Sequence, residues 1–372
     1  MTGVQTCALP IYGRCGGMTT QIQTPTGLEE EWRFTPLKRL VGLHDGSAIS
    51  QGSLGLAIDG DIAEYSLLAA DDALVIPEDS TNDAVVLHVR AQVEQVHYIK
   101  IPKESRGIVR IRRTGQGGVC FSRYVVDVER HAEVTLTMEN FGTVSLAEEV
   151  EIRIADEAQV RFISSQEWDR QTVHVARHRA RLGRNSKFIA HHISLGGDLV
   201  RISPRVDYSG PGGDAELNGI YFAQSGQHLE HRLHVEHDVV NCKSRVTYKG
   251  ALHGDAARTV WFGDVAIRAV AEGTDTYELN RNLILSDGAR ADSVPNLEIE
   301  TGEIVGAGHA SATGRFDDEH LFYLQSRGIS EQEARKLVVR GFFAELINTI
   351  GIQDIQERLM SLIDDTLERS NA

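Results

Sequence analysis

The stretch DGARADSVPNLEIETGEIVGAGHASATGRFDDEHLFYLQSRG, residues 287–328, marks the place where the chain changes from strands to helices. Pro295 opens an alternation of apolar and acidic residues, which predicts a half-buried strand with Leu297 and Ile299 facing inward. Four glycines then interrupt the pattern: Gly302, Gly306, Gly308 and Gly314. Because glycine loosens the backbone, we interpret this small-residue segment as a loop.

After this loop the pattern is helical. Asp317 is a candidate cap for a first helix that ends at Gly328. Ser330 and Glu333 form a capping box that predicts a second helix, running to about Ile350. A last helix carries leucine and isoleucine on one face and acidic residues on the other. Because these helices carry more apolar surface than they need to cover each other, we expect some of it to lie on the preceding core and some to meet a partner.

Upstream of the decisive stretch, short strands recur, each after a turn and a small residue. The small residues lie 26, 28, 29 and 42 positions apart: Ala132, Ala158, Ser186, Ala215 and Ala257. Repeats of about 20–50 residues are typical of solenoids, in which each coil covers the apolar face of the next. The absence of helical stretches between the strands favours a β-helix or a stacked β-sandwich, and an ordinary antiparallel sandwich is the alternative that composition allows.

The chain divides into four parts. The segment 1–17 matches nothing that follows and lacks a basic start and a long apolar core, so we interpret it as a non-native leader rather than a secretory signal. Val85, Leu87 and Val89 alternate with polar residues and predict a strand at the start of the core. The predicted parts are a leader, a mixed N-terminal part, a β-helix core and a C-terminal helical domain: residues 1–17, 18–83, 84–315 and 316–372.

Composition excludes several classes of partner. The net charge is −15 over 372 residues, which argues against nucleic acid because phosphate binding depends on Lys and Arg. No apolar run approaches the roughly 20 residues that cross a bilayer, so we expect no membrane association. Without the leader only Cys120 and Cys242 remain, and two distant cysteines predict no disulfide framework. We therefore expect a reducing, cytoplasmic location.

The sequence also lacks several motifs. It has no GxxxxGK[ST], so we expect no ATP site of the P-loop kind. It has no CxxC and no set of four cysteines outside the leader, so the chain alone is not expected to hold an all-thiolate cluster. GxSxG and HExxH are absent as well, which leaves no hydrolase or zinc-protease motif.

Histidines are the candidate metal ligands. His309 stands alone in GAGHASATG, where an imidazole could bind iron or carry a proton, although a lone histidine in a loop is usually only solvated. His228, His231, His234 and His237 recur at intervals of three in HLEHRLHVEH. On a helix the four side chains would share a face. On a strand, residues 228 and 234 would point to one side and residues 231 and 237 to the other. The strand-like surroundings disfavour a four-histidine site.

A family resemblance rests on the same decisive stretch. The order PNLEI, a small-residue segment with one histidine, and then FDDEHLFYLQSRGIS is similar to the C-terminal signature of the SufB/SufD family, which forms the scaffold of the SUF iron–sulfur cluster assembly machine. The resemblance extends from about Arg232 to about Ile350. It implies a right-handed parallel β-helix with a small N-terminal part and C-terminal helices, acting as a scaffold and not as an enzyme.

The resemblance also implies a site. His309 falls where the family keeps a histidine at the SufB–SufD interface that is proposed to help form the nascent cluster. Ala307 and Ala310 stand where many SufD chains have Cys and SufB-type chains tend to have Glu, so His309 is left as the one candidate ligand and the SufD branch is favoured. No permanently bound cofactor is implied, because the nascent Fe–S cluster would form at an interface whose other ligands come from a SufB-like subunit. Cys242 matches a position that the family often fills with Cys, and we interpret it as a buried structural thiol.

The implied partners are a SufB-like subunit and a SufC-like ATPase, and a homodimer is allowed when the chain is alone. ATP-driven closure of two ATPase subunits would shift the interface and expose the assembly site. The alternatives are a SufB-like, cluster-carrying scaffold, or a β-helix carbohydrate-active enzyme that uses paired carboxylates such as Asp207, Asp214 and Glu216, whose spacing is not specific. The candidate ATPase-docking residues lie in FYLQSRGI and KLVVRGFFAELI: Phe322, Tyr323, Arg327, Gly328, Arg340, Phe342 and Phe343.

Overall fold

The computed structural model of the chain describes residues 12–15, 18–315 and 318–370. Of these described residues, 50% lie in strands and 15% in helices, so the fold is mainly β. Most of the predicted leader lies outside the described residues, and so does Asp317, the predicted helix cap. The first short elements are β1 (Tyr12–Cys15), β2 (Met18–Gln21), a 3₁₀ turn (Leu37–Arg39), β3 (Leu54–Asp59) and β4 (Glu64–Ala69).

A helix, α1 (Ala84–Gln92), opens the region in which a strand was predicted, so that prediction was wrong. The side chain of Asp83 caps the helix, accepting hydrogen bonds from the backbone N–H groups of Val85 at 2.8 Å and Val86 at 3.1 Å. Three apolar residues at alternate positions do not distinguish a strand from a helix, because Val85 and Val89 are also at the helical spacing of four. The Asp83 cap favours the helix. The helix packs with Trp32 and Leu43 against the outer face of the solenoid.

The core is a parallel β-solenoid of about eight turns. Its strands are β5 (Gln95–Ile101), β6 (Arg106–Val128), β7 (Glu133–Ile154), β8 (Gln159–Gln166), β9 (Val173–Leu182), β10 (Lys187–Ser194), β11 (Leu199–Tyr208), β12 (Asp214–Ala223), β13 (His228–His237), β14 (Lys243–Leu252), β15 (Arg258–Ile267), β16 (Asp275–Ile284), β17 (Arg290–Ile299) and β18 (Gly306–Arg315).

Two parallel sheets enclose the lumen of the solenoid. Sheet A has the order β8, β10, β12, β14, β16, β18, and sheet B has the order β9, β11, β13, β15, β17. The long strand β7 joins them, because its first half pairs with β8 and its second half with β9. Gly142 turns the corner between the halves at φ +78°, where an added Cβ would lie 2.4 Å from the Gly115 carbonyl oxygen. The parallel pairing excludes the antiparallel sandwich.

The register explains the repeat in the sequence. Val134 pairs with Val160 near the start of the solenoid and Arg258 pairs with Arg290 near its end, so the coils become longer along the chain. The turns at Ala132, Ala158 and Ser186 are equivalent, and the carbonyl oxygen of each accepts a hydrogen bond from the strand that begins the next coil. The other two small residues of the predicted series are not at equivalent turns. Ala215 is the second residue of β12 in sheet A, and Ala257 precedes β15 in sheet B, which accounts for the irregular spacings 29 and 42.

The C-terminal helices are α2 (Asp318–Ser326), α3 (Glu331–Ile347) and α4 (Gln353–Ser370). Gly328 ends the first of them at φ +84°, donating a hydrogen bond to the Gln325 carbonyl oxygen at 2.9 Å. Ser330 caps α3 as predicted, its hydroxyl oxygen accepting from the Glu333 N–H at 3.2 Å. Among the described residues, no helix is both long and apolar enough to span a membrane.

The apolar faces of α3 and α4 pack together on the outer face of sheet A. Phe343 and Ile355 are fully buried there, against Ile193, Ile220 and Phe222. Each of these three strand residues points away from the lumen, so the helices cover a surface that the solenoid itself leaves apolar. The expectation that part of the helical apolar surface lies on the β core is confirmed.

The decisive stretch differs from its prediction in two respects. The strand begins at Arg290 instead of Pro295, and this proline lies inside an edge strand, where a missing N–H is tolerated. Leu297 and Ile299 face inward as predicted, in register with the buried Val265 and Ile267, although Ile299 is still 46% exposed. The predicted loop around His309 is the strand β18, because parallel pairing with β16 takes up its backbone hydrogen bonds.

Candidate functional site at the open end of the solenoid

The last coil of the solenoid, formed by β17 and β18, is called the end coil here. Its two strands lie at the two ends of the strand order, so each has one edge without a pairing strand in the described part of the chain. The inward positions of β18 continue a column of polar residues from β16, and the two rows are Ala307, His309, Ser311 and Thr313 over Thr276, Glu278, Asn280 and Asn282. The end coil therefore leaves the mouth of the lumen open and polar.

His309 is exposed at this mouth. It pairs in register with Glu278 of β16, and residues in register on parallel strands point to the same side of the sheet. In-register neighbours are about 4.8 Å apart, so the imidazole and the carboxyl group occupy successive layers of one column.

Glu278 is fully buried, and neither of its carboxyl oxygens has a hydrogen-bond partner among the described residues. Burial, reinforced by the negative charge of Asp264, raises the pKa of Glu278 to about 8. The carboxyl group lies against Gly263, where an added Cβ would come 2.7 Å from Oε1. The indole N–H of Trp261 is also buried without a partner in the described region. This layer of the lumen therefore contains buried polar groups, the Glu278 carboxyl and the Trp261 indole N–H, whose hydrogen bonds are not satisfied by the described residues.

A second polar cluster lies beside Glu278 in the same lumen. Asn280 donates from its amide to the Tyr221 hydroxyl at 2.8 Å, and that hydroxyl donates to the Asn282 side-chain oxygen at 2.8 Å. Asn282 in turn donates to Ser293 at 2.9 Å and to Thr313 at 3.3 Å. These bonds tie the end coil to the layers beneath it, so its backbone is held in register although its side chains are exposed.

The glycines around His309 have a local explanation. An added Cβ on Gly308 would lie 3.1 Å from the ring of Tyr277, its in-register neighbour on the outer face. Gly308 is therefore small because the Tyr277 ring occupies that place. An added Cβ on Gly306 would meet only the Asp275 carboxylate, 4.0 Å away, so space does not require glycine at that position.

The histidine run lies on β13 and splits between two faces, as strand geometry predicted. His231 and His237 point into the lumen, where His231 stacks on Tyr221 with ring centroids 5.2 Å apart. His228 and His234 point outward, and the Nε2–H group of each donates a hydrogen bond to the carboxylate two positions further along the strand. Among the described residues, no group of three or more His, Cys, Asp or Glu side chains is arranged to hold a metal ion.

Cys120 and Cys242 are free thiols inside the protein. Cys242 is fully buried at a turn between coils, with its sulfur 3.6 Å from the carbonyl oxygens of Gly210 and Val240. Burial raises the pKa of Cys242. The interpretation of Cys242 as a buried thiol is confirmed.

The helix α2 presents an aromatic surface to solvent. Phe322 is 72% exposed and Tyr323 54% exposed. The guanidinium of Arg327 lies over the Tyr323 ring, 4.6 Å from its centroid, and Gly328 is exposed next to it. Large exposed aromatic groups in a cluster are typical of an interaction surface.

The three candidate docking residues on α3 are placed differently. Arg340 is half-buried and forms an ion pair with Asp364 of α4. Phe342 is half-buried beside Lys249, whose ammonium group lies 5.1 Å from the ring centroid. Phe343 is completely buried, so its side chain is not available to a partner.

The three carboxylates named for a carbohydrate-active enzyme are divided between the two sheets. Asp207 lies on sheet B and accepts hydrogen bonds from Arg179 at 2.5 Å and Arg205 at 2.8 Å. Asp214 and Glu216 lie on β12 in sheet A. These two point to the same side of β12, whereas Asp207 lies on the other sheet, so the three carboxylates do not all face one substrate.

Glu278 was missed by sequence reasoning. The alternation TYELNRN shows that Glu278 shares a face with Thr276 and Asn280, which is the available sequence signal. Its position beneath His309 depends on the length of the coil that joins the two residues, and no local pattern reports that register.

Comparisons with known proteins identify the family of this chain. The family model "SUF system FeS cluster assembly, SufBD core domain" matches residues 80–342. An iron-sulfur cluster assembly SufBD family protein of Mycobacterium tuberculosis is 46% identical, over 93% of this chain and 90% of its own length. The proteins named iron-sulfur cluster assembly protein SufD in Escherichia coli and Bacillus subtilis are 26% and 28% identical, over 92% and 66% of this chain and 89% and 57% of their own lengths. The parallel solenoid, the C-terminal helices and the family match together show that this chain belongs to the SufBD family of SUF iron–sulfur cluster assembly proteins.

Proposed function

We propose that the chain is a SufD-type scaffold subunit, whose end coil pairs with a SufB-like subunit and whose α2 surface docks a SufC-like ATPase. The observation that carries the proposal is the incomplete end coil. Ile299, an inward position of β17, is 46% exposed, although its in-register neighbour Ile267 one layer below is fully buried. A further layer would bury it.

The backbone of the end coil supports the same conclusion. β17 and β18 each carry a row of N–H and C=O groups along the edge that has no pairing strand in the described part of the chain. Such edges pair readily with strands of another chain. A second solenoid that meets this end would continue both sheets and close the lumen.

His309 would then lie at the interface. Its imidazole would be one ligand for the iron of a nascent cluster, which is the cargo of the assembly reaction, and the SufB-like subunit would supply others. A histidine nitrogen suits iron, and a cluster requires more ligands than one residue provides. The departures at Ala307 and Ala310, noted in the sequence, favour the SufD branch over the SufB branch.

ATPase docking is assigned to the exposed face of α2. Phe322, Tyr323 and Arg327 form this docking surface, and Phe343 is omitted because it holds α3 to the core. α2 begins at Asp318 and β18 ends at Arg315, so the connection is short. Movement of a docked ATPase would therefore reach the strand that carries His309 directly.

The test is co-expression with SufB-like and SufC-like chains of the same organism, comparing His309→Asn with His131→Asn. His131 is an exposed histidine in a turn between β6 and β7, at positive φ, where Asn is tolerated. We expect both variants to form the complex, and only His309→Asn to lower the yield of assembled cluster, by tenfold or more, as measured by visible absorption. Equal yields from the two variants would remove the role of His309. A cluster that forms on this chain alone would favour the SufB-like role instead.

A further inference from the structure

The buried carboxyl group at the mouth of the lumen requires an explanation. Nearly all buried polar groups in native proteins have a hydrogen-bond partner, and carboxyl groups are among the least tolerated when they have none. Both carboxyl oxygens of Glu278 are buried without a hydrogen-bond partner in the part of the chain that the structure describes. The nearby Asn280 and Asn282 are bonded to their neighbours, so the lumen can satisfy polar groups at this level.

The position of Glu278 indicates which kind of ligand its oxygens could bind. It lies one layer below His309 in the same column, and the layer above is open to solvent. Gly263 on the opposite sheet has no side chain, and the Trp261 ring and Oε1 of Glu278 occupy the place where one would lie, 2.4 Å and 2.7 Å from an added Cβ. Asp264 is the neighbouring acid on that strand, but it accepts hydrogen bonds from His234 at 2.6 Å and Asn296 at 2.9 Å, on the outer face. Glu278 is thus the carboxyl group that faces the lumen beneath the imidazole.

We propose that Glu278 and His309 together bind one ferrous ion in the mouth of the lumen, as the half of a metal site that this chain contributes. The inference rests on the proposed function, which gives His309 alone as a ligand. Imidazole and carboxylate are both good ligands for divalent iron, and two ligands from adjacent layers would hold the ion in one place while positions remain open. The partner subunit would complete the coordination.

This pairing explains why the ligands differ in exposure. The exposed imidazole can meet an ion that arrives from solvent, and the buried carboxyl group can draw it below the rim of the end coil. A lone exposed histidine would hold a divalent ion weakly and without fixed position. The half-site therefore defines where iron binds before the partner subunit closes the lumen.

The experiment is iron-directed cleavage of the full-length chain. Fe²⁺ with ascorbate in air generates radicals at the bound ion, which cut the backbone nearby, and mass spectrometry locates the cuts. We expect cuts within residues 276–280 and 307–311 in the unmodified chain. Both sets should fall at least tenfold in Glu278→Gln and in His309→Asn.

The matched control is Glu298→Gln, since Glu298 lies on the end coil with His309 but points outward and is exposed. It should be cut like the unmodified chain. Glu278→Gln keeps the shape of the side chain, and Glu278→Met provides a second variant of similar length if the first does not fold. Melting curves of each variant show that the fold is retained.

The outcomes separate this inference from the proposed function. Undiminished cuts in Glu278→Gln or Glu278→Met, or no cuts at these two segments in the unmodified chain, would overturn the half-site. If the cluster yield of the complex still depends on His309 in that case, the proposed function stands without Glu278. If cutting depends on both residues but the cluster yield depends on neither, the half-site stands and the proposed assembly role fails.

Discussion

The rings of Phe222 and Phe343 lie with their centroids 6.1 Å apart, one on the outer face of sheet A and the other on α3. Phe343 joins the helices to the solenoid at this contact, within a cluster that includes Ile193 and Ile355. The same helix carries Phe342 only half-buried at its neighbouring position. The two adjacent phenylalanines therefore have different roles, and they can be separated by mutation.

Phe343→Ala should destabilise the protein by about 3–5 kcal/mol, because it leaves a cavity between α3 and sheet A. Phe342→Ala should cost less, since its ring is partly solvated. Chemical denaturation monitored by circular dichroism gives both values, and hydrogen exchange shows whether α3 and α4 open first. Equal losses from the two variants would contradict the assigned packing.

Phe322→Asp combined with Tyr323→Asp should release a SufC-like ATPase without unfolding the chain. Both side chains are largely exposed, so the folded monomer loses little, whereas an interface would lose two aromatic anchors. We expect affinity to fall at least tenfold, or about 1.4 kcal/mol, in a pull-down or by calorimetry. Leu28→Asp, at an exposed leucine of the N-terminal part, is the control and should bind normally. Retained binding in the double variant would place the docking surface elsewhere.

Ile299→Asp should prevent pairing of the end coil with a SufB-like subunit. The aspartate is tolerated in the monomer, where residue 299 is half-exposed, but the interface would bury its charge. Ile108→Asp is a close match, because Ile108 is 44% exposed on the outer face of β6. Size-exclusion chromatography of the co-expressed chains should show complex with Ile108→Asp and free chains with Ile299→Asp. The opposite pattern would assign the interface to the other surface.

The stability of the protein should fall on acidification through its buried histidines, and His237 offers a defined case. Burial lowers the pKa of His237 to about 4, against the partial opposing effect of Glu236. Between pH 4 and 6.5 the unfolded chain therefore binds a proton at this residue that the native protein does not, so stability rises with pH in that window. In His237→Gln the slope should be shallower by up to about 1.4 kcal/mol per pH unit.

The control for that slope is Ser244→Ala. It removes the hydrogen bond between the Ser244 hydroxyl and His237 Nε2, 2.9 Å long, but keeps the imidazole. Denaturant unfolding at a series of pH values measures both variants. Ser244→Ala should lower stability at every pH and leave the slope nearly unchanged, and equal slopes in the unmodified chain and His237→Gln would contradict the assignment.

Local chemistry in the sequence determined the parts of this protein that depend on neighbours along the chain. Ser330 starts α3 and Gly328 ends α2 because a cap and a positive φ act within a single helical turn. The spacing of Ala132, Ala158 and Ser186 predicted a solenoid, because every coil must repeat the same turn to stack on the last. The histidine run was correctly assigned to two faces because the alternation of side chains along a strand is a local property.

Tertiary structure decided what depends on stacking between coils. Val85 and Val89 lie on a helix because Asp83 caps it and the outer face of sheet B receives it, and the segment around His309 is a strand because β16 pairs with it. Glu278 lies beneath His309 only because the coil between them has the length that stacks the two in register, and a shift of the pairing by a single position would turn the carboxyl group to the other face. That register is set by the summed packing of the whole lumen, and no short stretch of sequence contains it.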